Sequence, residues 1–169
     1  MARVATLLVS DTSVLIDLER GGMLAALFEL PFEVGVPDVM YEREIKTWSG
    51  PDLVGMGLRV MELEPDGVAL AQDYRARDPR LSLPDAFALA LAKSGEHILL
   101  AGDGALRTLA SSEGVEHHGV LWALDQLEAA GVLTPAQLLE GLSAISTHPR
   151  CRLPHDEVRK RLGAYKAGA

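Results

Sequence analysis

A single cysteine, Cys151, leaves no internal disulfide to propose in a chain of 169 residues. Without paired Cys/His spacings there is no structural zinc site to propose either. Aromatic residues are only 5% of the chain, so Trp48 and Trp122 are read as packing residues rather than as platforms for stacked bases. No uninterrupted apolar run reaches the roughly 18 residues of a membrane span, and no basic stretch leads into a cleavable apolar one near residue 1. The expectation is a cytoplasmic protein that makes no membrane contact. The first apolar run is followed by Asp11-Thr12-Ser13 and not by a glycine-rich loop, which argues against nucleotide binding.

Positive charge is also short, with 16 Lys and Arg against 24 Asp and Glu and a formal net charge of −8. Such a balance ordinarily counts against a nucleic-acid partner, because phosphate binding draws on clustered cations. The distribution weakens the objection. Between Thr147 and Ala169 stand Arg150, Arg152, Arg159, Lys160, Arg161 and Lys166 against Asp156 and Glu157, a formal +4 that leaves −12 on the residues before it. A basic tail on an acidic body can contact RNA phosphates or dock on an acidic partner, and it is equally readable as a solvated helix.

What is present is an ordinary globular composition, 48% hydrophobic and 24% charged. A domain of about 150 residues buries roughly 70% of its unfolded surface, enough for one sizeable core. One domain is expected over residues 1–146, with residues 147–169 as a basic helical tail of the same domain. Short apolar runs alternate with helical patterns, the signature of βαβ units and a parallel sheet. The expected strands are Ala5–Ser10, Phe32–Val36, Leu58–Leu63, His97–Ala101 and Val115–His118. Helices are expected over Thr12–Arg20 and Met23–Leu30, separated by a Gly21-Gly22 turn with φ > 0. Pro37 opens a further helix through Tyr41–Trp48, and Ser49–Gly57 reads as a loop. Pro65–Arg77, the apolar run after Asp85, Gly119–Ala130 and Pro135–Ser146 complete the helices, the last with Thr134 as N-cap.

Four acids stand in orderly settings. Asp11 and Asp103 each follow an apolar run, so parallel neighbouring strands would deliver both carboxylates to one sheet edge, where open α/β folds place ligands. Glu44 lies in the helix after Val-Gly-Val-Pro, and Asp85 lies in Leu-Ser-Leu-Pro-Asp-Ala at the mouth of a dry core. Each acid also has a purely structural reading. Asp11 and Asp103 suit helix N-caps, the latter between glycines that let the chain turn sharply. Ser82 and Asp85 form a variant capping box, and Glu44 belongs to a charged helix face that also holds Glu42. Taken together, four spaced carboxylates with no cationic partner nearby suggest a divalent metal, since Mg²⁺ prefers oxygen ligands. Crowded without metal, at least one should hold a proton. His117 and His118, on the last expected strand, are read as partly buried residues with ordinary hydrogen bonds.

The segments Val9-Ser10-Asp11-Thr12-Ser13-Val14-Leu15-Ile16, Val36-Pro37 through Glu44-Ile45, Leu81-Ser82-Leu83-Pro84-Asp85-Ala86 and Leu99-Leu100-Ala101-Gly102-Asp103 appear in an order and spacing that resembles the PIN-domain nucleases. They span roughly the first 120 residues and leave the C-terminal helices outside the motif. The resemblance implies a three-layer α/β/α sandwich with a parallel sheet in the order 3-2-1-4-5, plus extra C-terminal helices. It implies Asp11, Glu44, Asp85 and Asp103 as catalytic, metal-binding acids for one or two Mg²⁺ or Mn²⁺ ions, with Glu42 the alternative to Glu44, and Thr12 or Ser13 as a site-orienting hydroxyl. The activity implied is hydrolysis of phosphodiester bonds, here expected to be endoribonucleolytic cleavage of single-stranded RNA by metal-activated water. A toxin of a toxin–antitoxin pair is the specific expectation, with an antitoxin as partner and a homodimer as assembly. The competing expectation is an inactive PIN-like module that binds RNA or protein. Asp11-Thr12-Ser13 and Gly102-Asp103-Gly104 also resemble haloacid dehalogenase phosphatases, but Ser13 stands where that family needs a second Asp, and no acid follows Gly104.

Overall fold

The computed structural model describes residues 6–48 and 52–169. Ala5 of the first expected strand and residues 49–51 of the expected loop lie outside the described residues. Strand β1, Leu7–Ser10, is buried throughout and sits at the centre of a five-stranded parallel sheet. A right-handed βαβ connection returns the chain to a parallel neighbour only by way of a covering helix, and helices α1 (Thr12–Arg20) and α2 (Leu24–Leu27) fill that role before β2, Glu33–Pro37. Next come α3 (Asp38–Met40), continued as a five-residue π-helix at Tyr41–Ile45, then α4 (Leu53–Met56) and β3 (Arg59–Met61). Helices α5 (Pro65–Arg77) and α6 (Leu83–Gly95) lead to β4, Ile98–Leu100. After α7 (Gly104–Ser112) and β5 (His117–His118), the chain ends in α8 (Val120–Ala129), α9 (Pro135–Ser146) and α10 (His155–Gly168).

The strand order is β3-β2-β1-β4-β5, the order that the resemblance implies. Leu8 pairs with Val34 on one side and Ile98 on the other, so β1 is flanked by β2 and β4. Successive crossovers leave β1 in opposite directions, which opens a crevice beyond the C-terminal ends of β1 and β4. The Asp11 amide donates to Leu100 O at 2.8 Å and carries the pairing one residue past Ser10.

Element types agree with the sequence pattern, and the differences have local causes. Residues Met23–Leu30 hold only one helical turn, Leu24–Leu27, followed by tight turns. Pro37 ends β2 in an extended conformation (φ −67°, ψ 148°) and precedes the helix without being its first residue. The expected loop 49–57 contains the turn α4, closed by Gly57 at φ 115°. Gly22 takes φ 66° as expected, whereas Gly102 and Gly104 are not among the positive-φ residues, so their place beside Asp103 is not a matter of backbone freedom. Helix α6 is buried at Ala86, Ala88, Leu89, Ala90, Leu91 and Ala92, which fits its apolar circumference.

The C-terminal helices are anchored to the sheet layers at a close crossing. A Cβ on Gly141 of α9 would lie 3.0 Å from Gly21 O, and a Cβ on Gly21 would lie 2.9 Å from Gly141 O. Backbone thus meets backbone where α1 ends. Arg161 fastens α10 to α8 through Asp125, with Nε–Oδ1 at 2.9 Å and Nη2–Oδ2 at 2.7 Å. Gly141→Ala should overpack the crossing and destabilise the fold by about 1–3 kcal/mol. For a chain of this size that lowers Tm by several degrees, measured by circular dichroism, while Gly163→Ala on α10, where a Cβ meets open space, should leave Tm unchanged or raise it.

Candidate functional site

Asp11 is the N-cap of α1 and is 2% exposed. Its Oδ1 accepts from the Val14 amide at 2.9 Å, and its Oδ2 accepts from the Gly102 amide at 2.8 Å. The Ser13 hydroxyl lies 2.9 Å from both oxygens. These bonds favour the carboxylate, yet burial outweighs them and pushes the Asp11 carboxyl above its ordinary range, with the charge of Asp103 adding to the shift. Gly102 is glycine for reasons of space: a Cβ there would stand 2.6 Å from Ser13 Oγ. Sequence reasoning valued Gly102 for its freedom to turn and missed its amide as a clamp on Asp11. Beside Asp11, the Thr12 hydroxyl is buried without a hydrogen-bond partner.

Asp103 caps α7, accepting from the Leu106 amide at 2.9 Å. Asp85 lies in the first turn of α6, where its amide donates to Ser82 Oγ at 3.2 Å. The Asp85 carboxyl is pushed up to about 7, first by burial and then by the charges of Asp11, Glu44 and Asp103. Acids from four elements therefore share one electrostatic neighbourhood. The charge that reaches Asp85 from the π-helix is that of Glu44, which is half-buried, whereas Glu42 is exposed and paired with Lys46 at 3.1 Å. Lys46 N donates to Tyr41 O at 2.8 Å, the wide π-type bond that sets this register; single π turns occur often at functional sites.

The expectation that no cation stands near the acids needs one correction. Asp103 acts electrostatically on Arg80, although that guanidinium is held by both oxygens of Asp78, at 3.0 and 2.9 Å. Among the described residues no ion pair involves Asp11, Glu44, Asp85 or Asp103. His117 and His118 have ordinary surroundings. His117 Nδ1 is 3.0 Å from Val115 O, and His118 stacks on Trp122 with ring centroids 4.3 Å apart.

The donor set fits a hard divalent cation. It consists of four carboxylates, the charges of the other three acting together on Asp85, with no thiolate or imidazole among them. Among the described residues no group of three or more His, Cys, Asp or Glu side chains is arranged to enclose a metal ion. An ion that keeps several waters and takes one or two carboxylates directly, as Mg²⁺ does, matches this open arrangement better than a closed cage would.

A family model described as a PIN domain matches residues 7–166. The match runs past the four acidic motifs, through α9 and most of α10. No curated protein matches the chain.

The like-charge crowding has a measurable consequence in metal-free protein. With a folded pKa near 7 against 3.8 for the ordinary group, Asp85 binds a proton in the folded but not the unfolded state between those values, so its contribution to stability falls as pH rises from about 4 to 7. In EDTA, Asp85→Asn should therefore melt several degrees above wild type at pH 7.5, and the gap should close toward pH 5. Burial holds the His97 imidazole below its usual pKa, which acts in the opposite sense. It does so in both proteins, so the difference between their Tm values isolates Asp85. An equal Tm at pH 7.5 would mean that neither burial nor the neighbouring acids raise the Asp85 carboxyl.

Proposed function

This chain belongs to the PIN-domain family, and from that premise we propose that it is a Mg²⁺- or Mn²⁺-dependent endoribonuclease that cleaves single-stranded RNA. PIN domains are generally metal-dependent nucleases. The observation that carries the reading to this chain is the carboxyl of Asp85, raised to about 7 by burial and by three neighbouring acids. A structural acid cluster gains nothing from such repulsion, whereas a cation-binding one stores it until the ion arrives.

In this reading Asp11, Glu44, Asp85 and Asp103 hold the metal. Bound there, the ion supplies a water of lowered pKa and offsets the charge that builds on the phosphate. The Ser13 hydroxyl and the amides of Val14 and Gly102 fix the orientation of the Asp11 carboxylate. Asp85 must give up its proton before it can serve as a ligand, so metal affinity should weaken as pH falls through about 7. No side-chain nucleophile is required.

A toxin role, an antitoxin that places an Arg among the acids, a homodimeric assembly and a cytoplasmic setting are the finer parts of this proposal. Among the described residues no helix is long and apolar enough to cross a membrane. One observation favours a different reading, that of a binding module: Asp11 and Asp103 already work as helix caps, and no three acids among the described residues enclose an ion.

Cleavage of a fluorescent single-stranded RNA separates the two. With Mg²⁺ or Mn²⁺ the wild type should cleave, and EDTA should abolish the activity. Asp85→Asn should lower kcat at least 100-fold, about 2.7 kcal/mol of barrier, while remaining folded. Asp11→Asn should lose activity as well. A folded wild type that neither cleaves RNA nor gains Tm on adding metal would return the acids to capping and surface charge.

A further inference from the structure

A cavity of about 630 Å³ opens beside the acids, between α1 and the connection from α9 to α10. Its lining includes Ser13, Asp17, Arg20, Gly102 and Asp103 and, from the α9–α10 connection, Arg150 and Arg152. Ser13 and Gly102 hold the Asp11 carboxylate, and Asp103 is itself one of the four acids, so this space adjoins the acidic site. Resting on the ribonuclease reading, we propose that the cleft is a subsite for the phosphodiester backbone of single-stranded RNA flanking the cleaved linkage, with Arg150 and Arg152 as its phosphate-binding groups.

Charge supports this occupant. A polyanion approaching four carboxylates needs cations close by, because free charges act over only about 10 Å at 0.1 M salt. Arg150 and Arg152 are exposed and take part in no ion pair among the described residues. Two other arginines, one of the cavity and one of the tail, are already engaged. Arg20 of the same cavity is paired with Asp17 at 3.3 Å, and Arg161 of the same tail is held by Asp125 and Glu157. Of the tail's basic residues, Arg161 is thus structural while Arg150 and Arg152 line the cleft.

The two arginines are carried on a defined turn. His148 N donates to Ile145 O at 3.2 Å, Cys151 N to His148 O at 3.0 Å, and Arg150 N to His148 Nδ1 at 3.1 Å. The glycine crossing of α9 with α1 fixes that turn relative to Asp11. Ile16, Pro149 and Leu153 add apolar surface to the same cleft, against which a ribose or base face can rest while the guanidinium groups hold phosphates. Grooves that track single strands combine cations with such faces. An RNA strand whose phosphodiester sits at the acids must leave the site on one side, and this is a side where cations await it.

The test is steady-state cleavage of a labelled single-stranded RNA by the full chain at several salt concentrations, with Arg150→Ala/Arg152→Ala compared with wild type. The double variant should raise KM about 10-fold near 0.1 M salt and hold kcat within about 2-fold. Its slope of log KM against log salt should fall by roughly 1.4, or about 0.7 for each phosphate left without its arginine. Arg159→Ala/Lys160→Ala, on α10 and outside the cleft, should change neither quantity, and Arg150→Lys/Arg152→Lys should recover most of the slope. If the alanine pair misfolds, Arg152→Gln alone should lower the slope by about 0.7. Unchanged KM and slope in an enzyme that cleaves would overturn the subsite and leave the nuclease reading standing, as would a loss confined to kcat that lysine does not rescue. If the wild type neither cleaves nor binds the RNA with either metal, the nuclease reading itself falls, and the subsite falls with it.

Discussion

The hydrogen bond from the Gly102 amide to Asp11 joins residues 91 positions apart, and much of the molecule is arranged around it. It requires β1 and β4 to be neighbours, which the 3-2-1-4-5 order provides. It requires a bare Cα at residue 102, because the Ser13 hydroxyl fills the space a side chain would take. It also requires α1 to start at Thr12, so that Asp11 can cap that helix while reaching across to the neighbouring strand end. A carboxylate 2% exposed and bonded on both oxygens would ordinarily be a settled anion. Here desolvation still dominates, and the imbalance left over is what a cation at this edge would offset.

The same imbalance sets stability against function. Each acid can be explained as a cap or a helix-surface charge when taken singly, and a cap is worth about 1 kcal/mol. Their mutual repulsion is explained by none of those roles, since Asn or Ser would cap as well without the charge. The fold tolerates the repulsion because the supporting layers are tightly made. Helix α6 carries Ala86, Ala88, Ala90 and Ala92 on two sides, all nearly or fully buried, so small side chains meet its neighbours on both. Rigid elements of this kind are what hold a constellation in place better than loops do.

Much of this was legible in the sequence, and what escaped did so for physical reasons. The alternation of apolar runs with helical patterns announced the parallel sheet, and a strand-then-Asp pattern announced both capping acids. Strand ends were less visible: β3 is only Arg59–Met61 and β5 only His117–His118, because pairing with one neighbour decides where an edge strand stops. The choice between Glu44 and Glu42 could not be read, since a π-helix turns its residues by a different angle than an α-helix and no composition marks it. In the structure the wide Lys46–Tyr41 bond accompanies a half-buried Glu44 and leaves Glu42 to Lys46. The role of Gly102 was hidden for a related reason, because a missing side chain reveals nothing about which neighbour needs the room.

Net charge is a coarse guide to the proposed RNA subsite, for a physical reason. A sum of −8 treats every charge as equally near to a bound polyanion. At physiological ionic strength the screening length is about 8 Å, so a phosphate feels the few groups around it and little of the remaining body. Among the acids, a phosphate meets negative charge that a divalent ion would offset. One step away, across Ser13 and Gly102, it meets Arg150 and Arg152. In the proposed reading the polar layout would alternate along a bound strand, with carboxylates at the metal and guanidinium groups at the neighbouring backbone. An acidic protein can bind an acidic polymer when its cations are few but correctly placed. That placement depends on the α9–α10 helices, which the four acidic motifs do not include.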